Sequence, residues 1–245
     1  MVRCTINIVM MFQHENIKFA NQELLWFNGD SEDRYLTHLK ERYADLKENQ
    51  WINRSFTYKF NNHGFRCDQF NDTPNIVTLG CSLTFCMGVP IEDSWPTLVA
   101  NELNLTCFNL GVQAASHDTA FRLAYHWLEK IKPKIVVLWG PDQDRFELSA
   151  DQQFYSYLPN KPDLYPGRDF YKQWITNSTN GLLNKTKNTL AIKYLCNKLD
   201  IKFIDMLDLK RAYNFRADLA RDLSHPGIKS NLTIAKAVLS SIHVW

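Results

Sequence analysis

The rhythm of apolar and polar positions changes near residue 74. Beyond it, short apolar runs alternate with longer stretches of helical spacing. The runs 75–79 (NIVTL), 106–110 (TCFNL), 134–139 (KIVVLW) and 201–205 (IKFID) read as strands. Helices are predicted near 94–104, at 117–131, over a long region reaching about 199, and over 227–242. Ser94 caps the first of these and Pro96 sits in its first turn. Several of the strands are apolar throughout rather than on alternate positions. Such strands are buried on both faces, which predicts a parallel sheet with helices on each side. The expected fold class is α/β, a three-layer α/β/α sandwich. The stretch 141–168 interrupts the alternation and reads as a loop-rich insertion.

The pattern before residue 74 is different. Residues 2–11 read as a short strand. Residues 31–48 (SEDRYLTHLKERYADLKE) read as one helix, capped by Ser31 with acids in the first turn. Tyr35, Leu36, Leu39, Tyr43 and Leu46 then form one apolar stripe. Phe56, Tyr58 and Phe60 alternate with polar residues like a strand, and Asn61-Asn62-His63-Gly64 is a turn signal. Asp72-Thr73-Pro74 marks a break. The organisation expected is an N-terminal extension, 1–74, packed on a main domain, 75–245. The segment 58–70 is expected to brace that domain rather than to join its chemistry.

Composition narrows the function classes. A chain of 245 residues is long enough for one sizeable core. A net charge of only +2 gives neither a nucleic-acid footprint nor a polybasic membrane patch, so no nucleic-acid partner is expected. No run approaches the roughly 18 apolar residues of a membrane span. The N-terminal MVRCTINIVMMF lacks a small-residue cleavage site before His14, so no signal peptide is expected either. The six cysteines form no C-x-x-C pair and no zinc spacing with histidine. They predict a reducing, cytoplasmic setting, with Cys107 and Cys196 as buried thiols. No metal and no organic cofactor is expected. Oligomeric state is not written in the sequence.

Chemistry enters at the strand ends. Gly80, Gly111 and Gly140 each fall at or just past one, which places three loops along a single sheet edge, where active residues of such folds gather. Ser82 lies in the first of these loops, in LGCSLTFCMGV. A serine hydroxyl is a weak nucleophile until a base takes its proton, and the base is usually a histidine oriented by a carboxylate. Of seven histidines, His14, His38 and His63 read as surface or turn residues. His126 lies in a helix, His243 is near the end, and His117 suits a cap or a helix surface. His225 stands out in Asp222-Leu223-Ser224-His225-Pro226-Gly227, where one loop presents a carboxylate and an imidazole together. A polar loop leading into a Pro-initiated helix reads equally well from this stretch alone.

Other features have plainer readings. Cys81 fills a turn, and the 80–88 segment lacks the G-K-[ST] of a phosphate loop. Asp142, Asp144 and Glu147 suit a solvated loop better than a metal site. Arg145, Phe154, Tyr155, Tyr157 and Tyr165 either wall a cleft or pin the insertion.

Taken together, Gly80-Cys81-Ser82-Leu83-Thr84, Asn109-Leu110-Gly111 and Asp222-x-x-His225-Pro226-Gly227 resemble the SGNH (GDSL-type) hydrolases over about residues 75–242. The resemblance implies a flavodoxin-like α/β/α sandwich. It also implies hydrolysis of esters, frequently acyl or acetyl esters of sugars and lipids. Ser82 would be nucleophile, His225 base and Asp222 its orienting carboxylate. The oxyanion donors would be the Ser82 and Ala114 N–H groups with Gln143. Asp142, Arg145, Asn109 and Gly111 become candidates for contact with substrate.

Three positions depart from the family pattern. Cys81 stands where an aspartate is usual, Ala114 where a glycine is, and Asp142 where an asparagine is. An ionised Asp142 would repel an oxyanion, which is why Gln143 is taken as donor. The expected partner is a small-molecule or glycan ester, best an O-acetyl ester of carbohydrate. Two rival readings are a glycan-binding module that no longer turns its ligand over, and an acyltransferase using the same serine.

Overall fold

The structure, a computed structural model, describes residues 14–150, 153–159, 168–206 and 215–243. The strand expected at 2–11 and Tyr165 lie outside those residues. In chain order the elements are β1 (Glu23–Leu24), α1 (Glu32–Glu41), α2 (Tyr43–Glu48), β2 (Tyr58–Lys59), β3 (Asn75–Gly80) and α3 (Ser82–Phe85). Next come α4 (Trp95–Glu102), β4 (Thr106–Asn109), α5 (His117–Ile131), β5 (Ile135–Trp139), β6 (Phe146–Ala150) and β7 (Gln153–Tyr157). The last are α6 (Arg168–Thr176), α7 (Ser178–Lys198), β8 (Lys202–Met206) and α8 (Ile228–His243).

Among the described residues the main sheet has four strands in the order β4-β3-β5-β8. Every pairing in it is parallel: Val77 lies opposite Phe108 and Val136, and Val137 opposite Ile204. Side chains alternate between two apolar layers, as a pleated strand requires. Val77, Leu79, Phe108, Val136 and Leu138 meet Leu123, Trp127 and Leu128 of α5 and Ile192 and Cys196 of α7. Ile76, Ile135, Val137 and Ile204 meet Trp95 and Val99 of α4 and Ile234 and Val238 of α8. The fold is thus an α/β/α sandwich. Burying each such aliphatic side chain stabilises it by roughly 1.5–3 kcal/mol.

Local sequence explains the element ends. Ser116 accepts the Thr119 N–H while the Thr119 hydroxyl accepts the Ser116 N–H, a capping box that starts α5. Lys132 closes α5 in the left-handed region, φ 50°, just before Pro133. The chain leaves β3 toward one face of the sheet and leaves β4 toward the other. The carboxyl end of β3 therefore opens on the crevice where such sheets bind ligands.

Residues before 75 share their buried side chains with the main body. Phe27, Tyr58 and Phe60 cluster with Phe85 and Met87, and Leu46 and Trp51 with Leu223. β2 pairs antiparallel with β1, a strand that the sequence did not announce.

The expected helix 31–48 is two helices. Ser31 caps the first by accepting the Arg34 N–H, as expected. The break falls at Arg42 (φ −135°, ψ 35°), which stands between the two helices and pairs with Asp45 at 2.7 Å. The expected stripe splits with it: Leu46 is buried, whereas Leu36 and Tyr43 are 47% and 52% exposed. The long helical region likewise divides at Asn177, whose side chain caps α7 through the Thr179 N–H. The insertion is more ordered than expected. β6 and β7 form an antiparallel hairpin whose Phe146 and Tyr157 pack on Tyr171. Tyr157 is therefore a core residue of the hairpin rather than a cleft wall.

Three histidines also differ from expectation. His14 is buried and stacks on Phe65 at 4.3 Å, with Nε2 donating to the His63 carbonyl. His38 is buried on α1, and His117 is buried at the start of α5 with Nε2 on the Pro141 carbonyl at 3.1 Å. Segments from elsewhere in the chain cover His14 and His117: Phe65 and His63 for the first, the Pro141 loop for the second.

Burial lowers His14 and His117 to about 4, well below the ordinary imidazole value. Both are neutral in the fold at pH 7, and in the unfolded chain both take up a proton near pH 6.5. Their contribution to stability is complete above about pH 6.5 and is lost as pH falls toward 4. The loss reaches at most about 3 kcal/mol for each. Urea unfolding at pH 7 and pH 4.5 is expected to show that fall, and His117→Gln to remove about half of it. A second expectation concerns Gly111. A Cβ there would lie 2.6 Å from the Phe85 N and 2.8 Å from the Thr84 carbonyl carbon, both backbone atoms. Gly111→Ala is expected to destabilise by about 1–3 kcal/mol, read as a lowered urea midpoint.

Candidate active site

The first loop is fixed from all sides. At the end of β3, Gly80 runs so close to its neighbours that a Cβ would come within 2.7 Å of the Trp139 carbonyl oxygen. Cys81 is extended (φ −97°, ψ −153°) and Ser82 opens the four-residue α3. Carbonyls at the end of so short a helix lack intrahelical partners. Here each finds one. The Trp95 indole N–H donates to Leu83 O at 3.0 Å and the Asn109 amide to Thr84 O at 2.7 Å. Arg66 donates to Phe85 O, Cys86 O and Val89 O at 3.1, 2.7 and 2.6 Å. Ser82 thus projects from a turn whose backbone is held in one conformation.

The loop before α8 brings His225 to it. The Ser82 Oγ lies 2.9 Å from His225 Nε2, and His225 Nδ1 lies 2.5 Å from Asp222 Oδ2. Asp222 Oδ1 accepts the backbone N–H groups of Ser224 and His225, both at 3.0 Å. One carboxylate oxygen therefore shapes the loop while the other faces the ring. With Nδ1–H donating to the carboxylate, Nε2 is left as acceptor for the serine proton. Burial alone would raise Asp222, but the His225 ring bond and charge and the two backbone N–H groups together hold it below the ordinary carboxylate value. It is an anion at neutral pH. The Asp222 side chain is fully covered, whereas His225 is 24% exposed. Solvent and small molecules reach the imidazole but not its carboxylate.

The second loop lies alongside. The Val112 N–H donates to Gly80 O at 3.0 Å, which binds the loop after β4 to the end of β3. Ala114 follows two residues on in the left-handed region, φ 58°. That is the conformation glycine adopts freely and alanine does not. Beside it is a cavity of about 110 Å³, lined by Gln113, Ala114, Thr119, Arg122, Glu147 and Tyr155.

The remaining predicted residues are placed as follows. Asn109 is buried, with Oδ1 accepting the Gly111 N–H at 2.8 Å and the Thr78 hydroxyl at 3.2 Å. Its polar atoms are spent inside the protein, tying the second loop to the first. Gly111 gives the close approach to α3 described above. Asp142 Oδ1 accepts the Asp144 N–H at 3.0 Å, closing a turn of its own loop. The Gln143 backbone packs on Gly181 of α7, where a Cβ would lie 2.7 Å from the Gln143 O. Arg145 donates to Ala115 O at 3.5 Å. Glu147 turns away from Asp142 and Asp144 to pair with Arg122 at 2.7 Å. Among the described residues no group of three or more metal-ligating side chains gathers anywhere. Phe154 lies under the Arg122 guanidinium at 3.9 Å, so one face of its ring is covered.

Several residues that shape the site carry no sequence signal. Arg66, Asp30, Tyr58 and Arg221 are all buried. Each belongs to an unremarkable local pattern, and only the distant partner makes sense of its charge or hydroxyl.

No family model matches the chain, and no curated protein matches it. Solved structures do resemble it. One is the esterase EstA from Pseudoalteromonas sp., 15% identical over 70% of this chain and 97% of that one, with a TM-score of 0.39. A G-D-S-L family protein from Desulfitobacterium hafniense is 14% identical over 70% and 99%, with a TM-score of 0.36. The acetyl xylan esterase Est2A from Butyrivibrio proteoclasticus is 11% identical over 77% and 66%, with a TM-score of 0.40. The solved structures that this chain resembles are thus GDSL-type esterases and acetylesterases, and so small an identity says nothing of this chain's own activity.

Proposed function

We propose that the protein is a serine ester hydrolase in which Ser82, His225 and Asp222 act as nucleophile, base and orienting carboxylate. The observation that carries this reading is the continuous hydrogen-bonded series from Asp222 through His225 to Ser82, at 2.5 and 2.9 Å. Ser82 attacks the ester carbonyl as its proton passes to His225 Nε2, and the imidazolium that forms is stabilised by the buried carboxylate. The alcohol leaves with that proton. Water, deprotonated by the same imidazole, then releases the acyl group and regenerates the serine.

The tetrahedral oxyanion is held by the backbone N–H groups of Ser82 and Ala114, with Gln143 as a side-chain donor in place of the Asp142 carboxylate. A short acyl group on a hydroxyl-rich alcohol, such as an O-acetylated carbohydrate, is the substrate class proposed. Residues 1–74 and 75–245 are read as an extension and the domain that it supports.

The test is hydrolysis of p-nitrophenyl esters of increasing chain length. Wild type is expected to prefer acetate. Ser82→Ala is expected to lose roughly 10³-fold or more of kcat. Equal rates in wild type and Ser82→Ala would leave a binding module as the better reading, and ester formation with an added alcohol would favour an acyltransferase. A separate expectation concerns the second loop. Left-handed backbone costs alanine about 1–2 kcal/mol. Ala114→Gly is therefore expected to raise stability by about 0.5–1 kcal/mol, after its own unfolded-state entropy. Thermal unfolding checks this.

A further inference from the structure

We propose that Asp30, Tyr58 and Arg221 are positioning residues that hold the Ser82 turn and the His225 loop in register, so that the segment before β3 belongs to the catalytic apparatus. The proposal rests on the esterase reading of Ser82, His225 and Asp222. Arg221 immediately precedes Asp222 in the chain, yet its guanidinium turns away from the site into the extension. Its Nε donates to both Asp30 oxygens at 3.1 Å, and its Nη2 donates to Asp30 Oδ2 at 2.7 Å and to Leu25 O at 2.8 Å. The rings of Trp26 and Phe56 each lie 4.0 Å from it. Both members of the ion pair are buried, at 2% and 1% side-chain exposure.

Asp30 also accepts the Tyr58 hydroxyl, at 2.5 Å. Burial, with the Asp30 charge, pushes that phenol well above its ordinary value, so it stays a donor. The same oxygen accepts the Gly88 N–H at 2.8 Å, and Gly88 O accepts the Arg221 N–H at 3.0 Å. The bonds close a ring: Arg221 to Asp30, Asp30 to Tyr58, Tyr58 to Gly88, and Gly88 back to Arg221. Gly88 lies on the turn that begins at Ser82, and Arg221 lies on the loop that ends at His225. The two loops touch there, since a Cβ on Gly88 would meet the Ala220 Cβ at 2.9 Å and the Asp222 N at 3.2 Å.

The outer side of the base loop is held by the same segment. Trp51 donates to Leu219 O and Asn49 accepts the Leu219 N–H, both at 2.7 Å. Arg42 donates to Leu223 O at 3.4 Å, and Arg34 donates to the Ser224 hydroxyl.

A buried ion pair is weak as a source of stability, because well-packed apolar residues often serve as well. What it supplies here is a fixed distance between two loops. A serine and its base tolerate little error, and a displacement of about 1 Å far from the chemistry can cost on the order of 100-fold in rate.

The test uses the full chain with Asp30→Asn and the milder Tyr58→Phe, which removes a single oxygen. Each is checked for native near-UV circular dichroism and assayed beside Ser82→Ala on p-nitrophenyl acetate. Asp30→Asn and Tyr58→Phe are expected to lower kcat by roughly 10-fold to 100-fold with KM within about 2-fold. The low-field proton resonance of His225 Nδ1–H, bonded to Asp222, is expected to shift or broaden in both. Folded variants with wild-type kcat and an unmoved resonance would overturn the proposal while leaving an inactive Ser82→Ala in support of the hydrolase. Should Ser82→Ala keep full activity, the hydrolase reading falls. The resonance in Tyr58→Phe then decides the network alone: unmoved overturns it, shifted sustains it.

Discussion

The hydrogen bond between Ser82 and His225 joins positions 143 residues apart, and the parallel sheet and the contacts around two loops bring them together. A parallel sheet makes it possible. All four strands point the same way, so the loops that follow them emerge on one edge however far apart they lie in sequence. Two adjacent loops are not yet a working pair, however. A proton passes between an oxygen and a nitrogen only over a hydrogen-bond distance. The turn after β3 and the loop before α8 therefore each need a reason to hold one shape.

Buried charge supplies that reason. Arg66 gathers the loose carbonyls behind the serine, and Arg221 fastens the loop in front of the histidine to Asp30. Taking such groups out of water is costly, and removing one partner of a buried pair typically costs about 3–5 kcal/mol because the other is stranded. Arg221 finds acceptors at Nε and Nη2, and Arg66 finds three carbonyls through its two terminal nitrogens, which fixes the loops. Asp222 follows the same logic on a smaller scale, with one oxygen on the backbone of its own loop and the other on the ring.

How much of this could be read from the sequence depends on the range of the interaction. β5 was legible because five consecutive apolar residues are a local statement, and α5 because its helical spacing is another. Ser82, Asp222 and His225 stood out because three short blocks, two of them at strand ends and one before the last helix, followed one another in the family's order. Arg42 misled because a cap inside a continuous polar–apolar pattern looks like more helix until its side chain is seen to turn to Asp45. The hairpin β6–β7 was hidden in a stretch where its core residues pack on α6 rather than on the main sheet. Asp30 and Arg221 were invisible for a plainer reason: 191 residues separate them, and neither sits in a pattern that demands a partner. Buried His14 and His117 were misjudged because burial is decided by what arrives from elsewhere in the chain.

On the proposed hydrolase reading, the same separation governs when the protein can first work. A ribosome releases Ser82 long before it releases His225, and for all of that interval the hydroxyl has no base and no fixed turn. A nascent chain therefore carries an inert serine, and so does any product of premature termination between the two. Asp30 emerges earlier still and waits longest, an early carboxylate held in reserve for a guanidinium made 191 residues later.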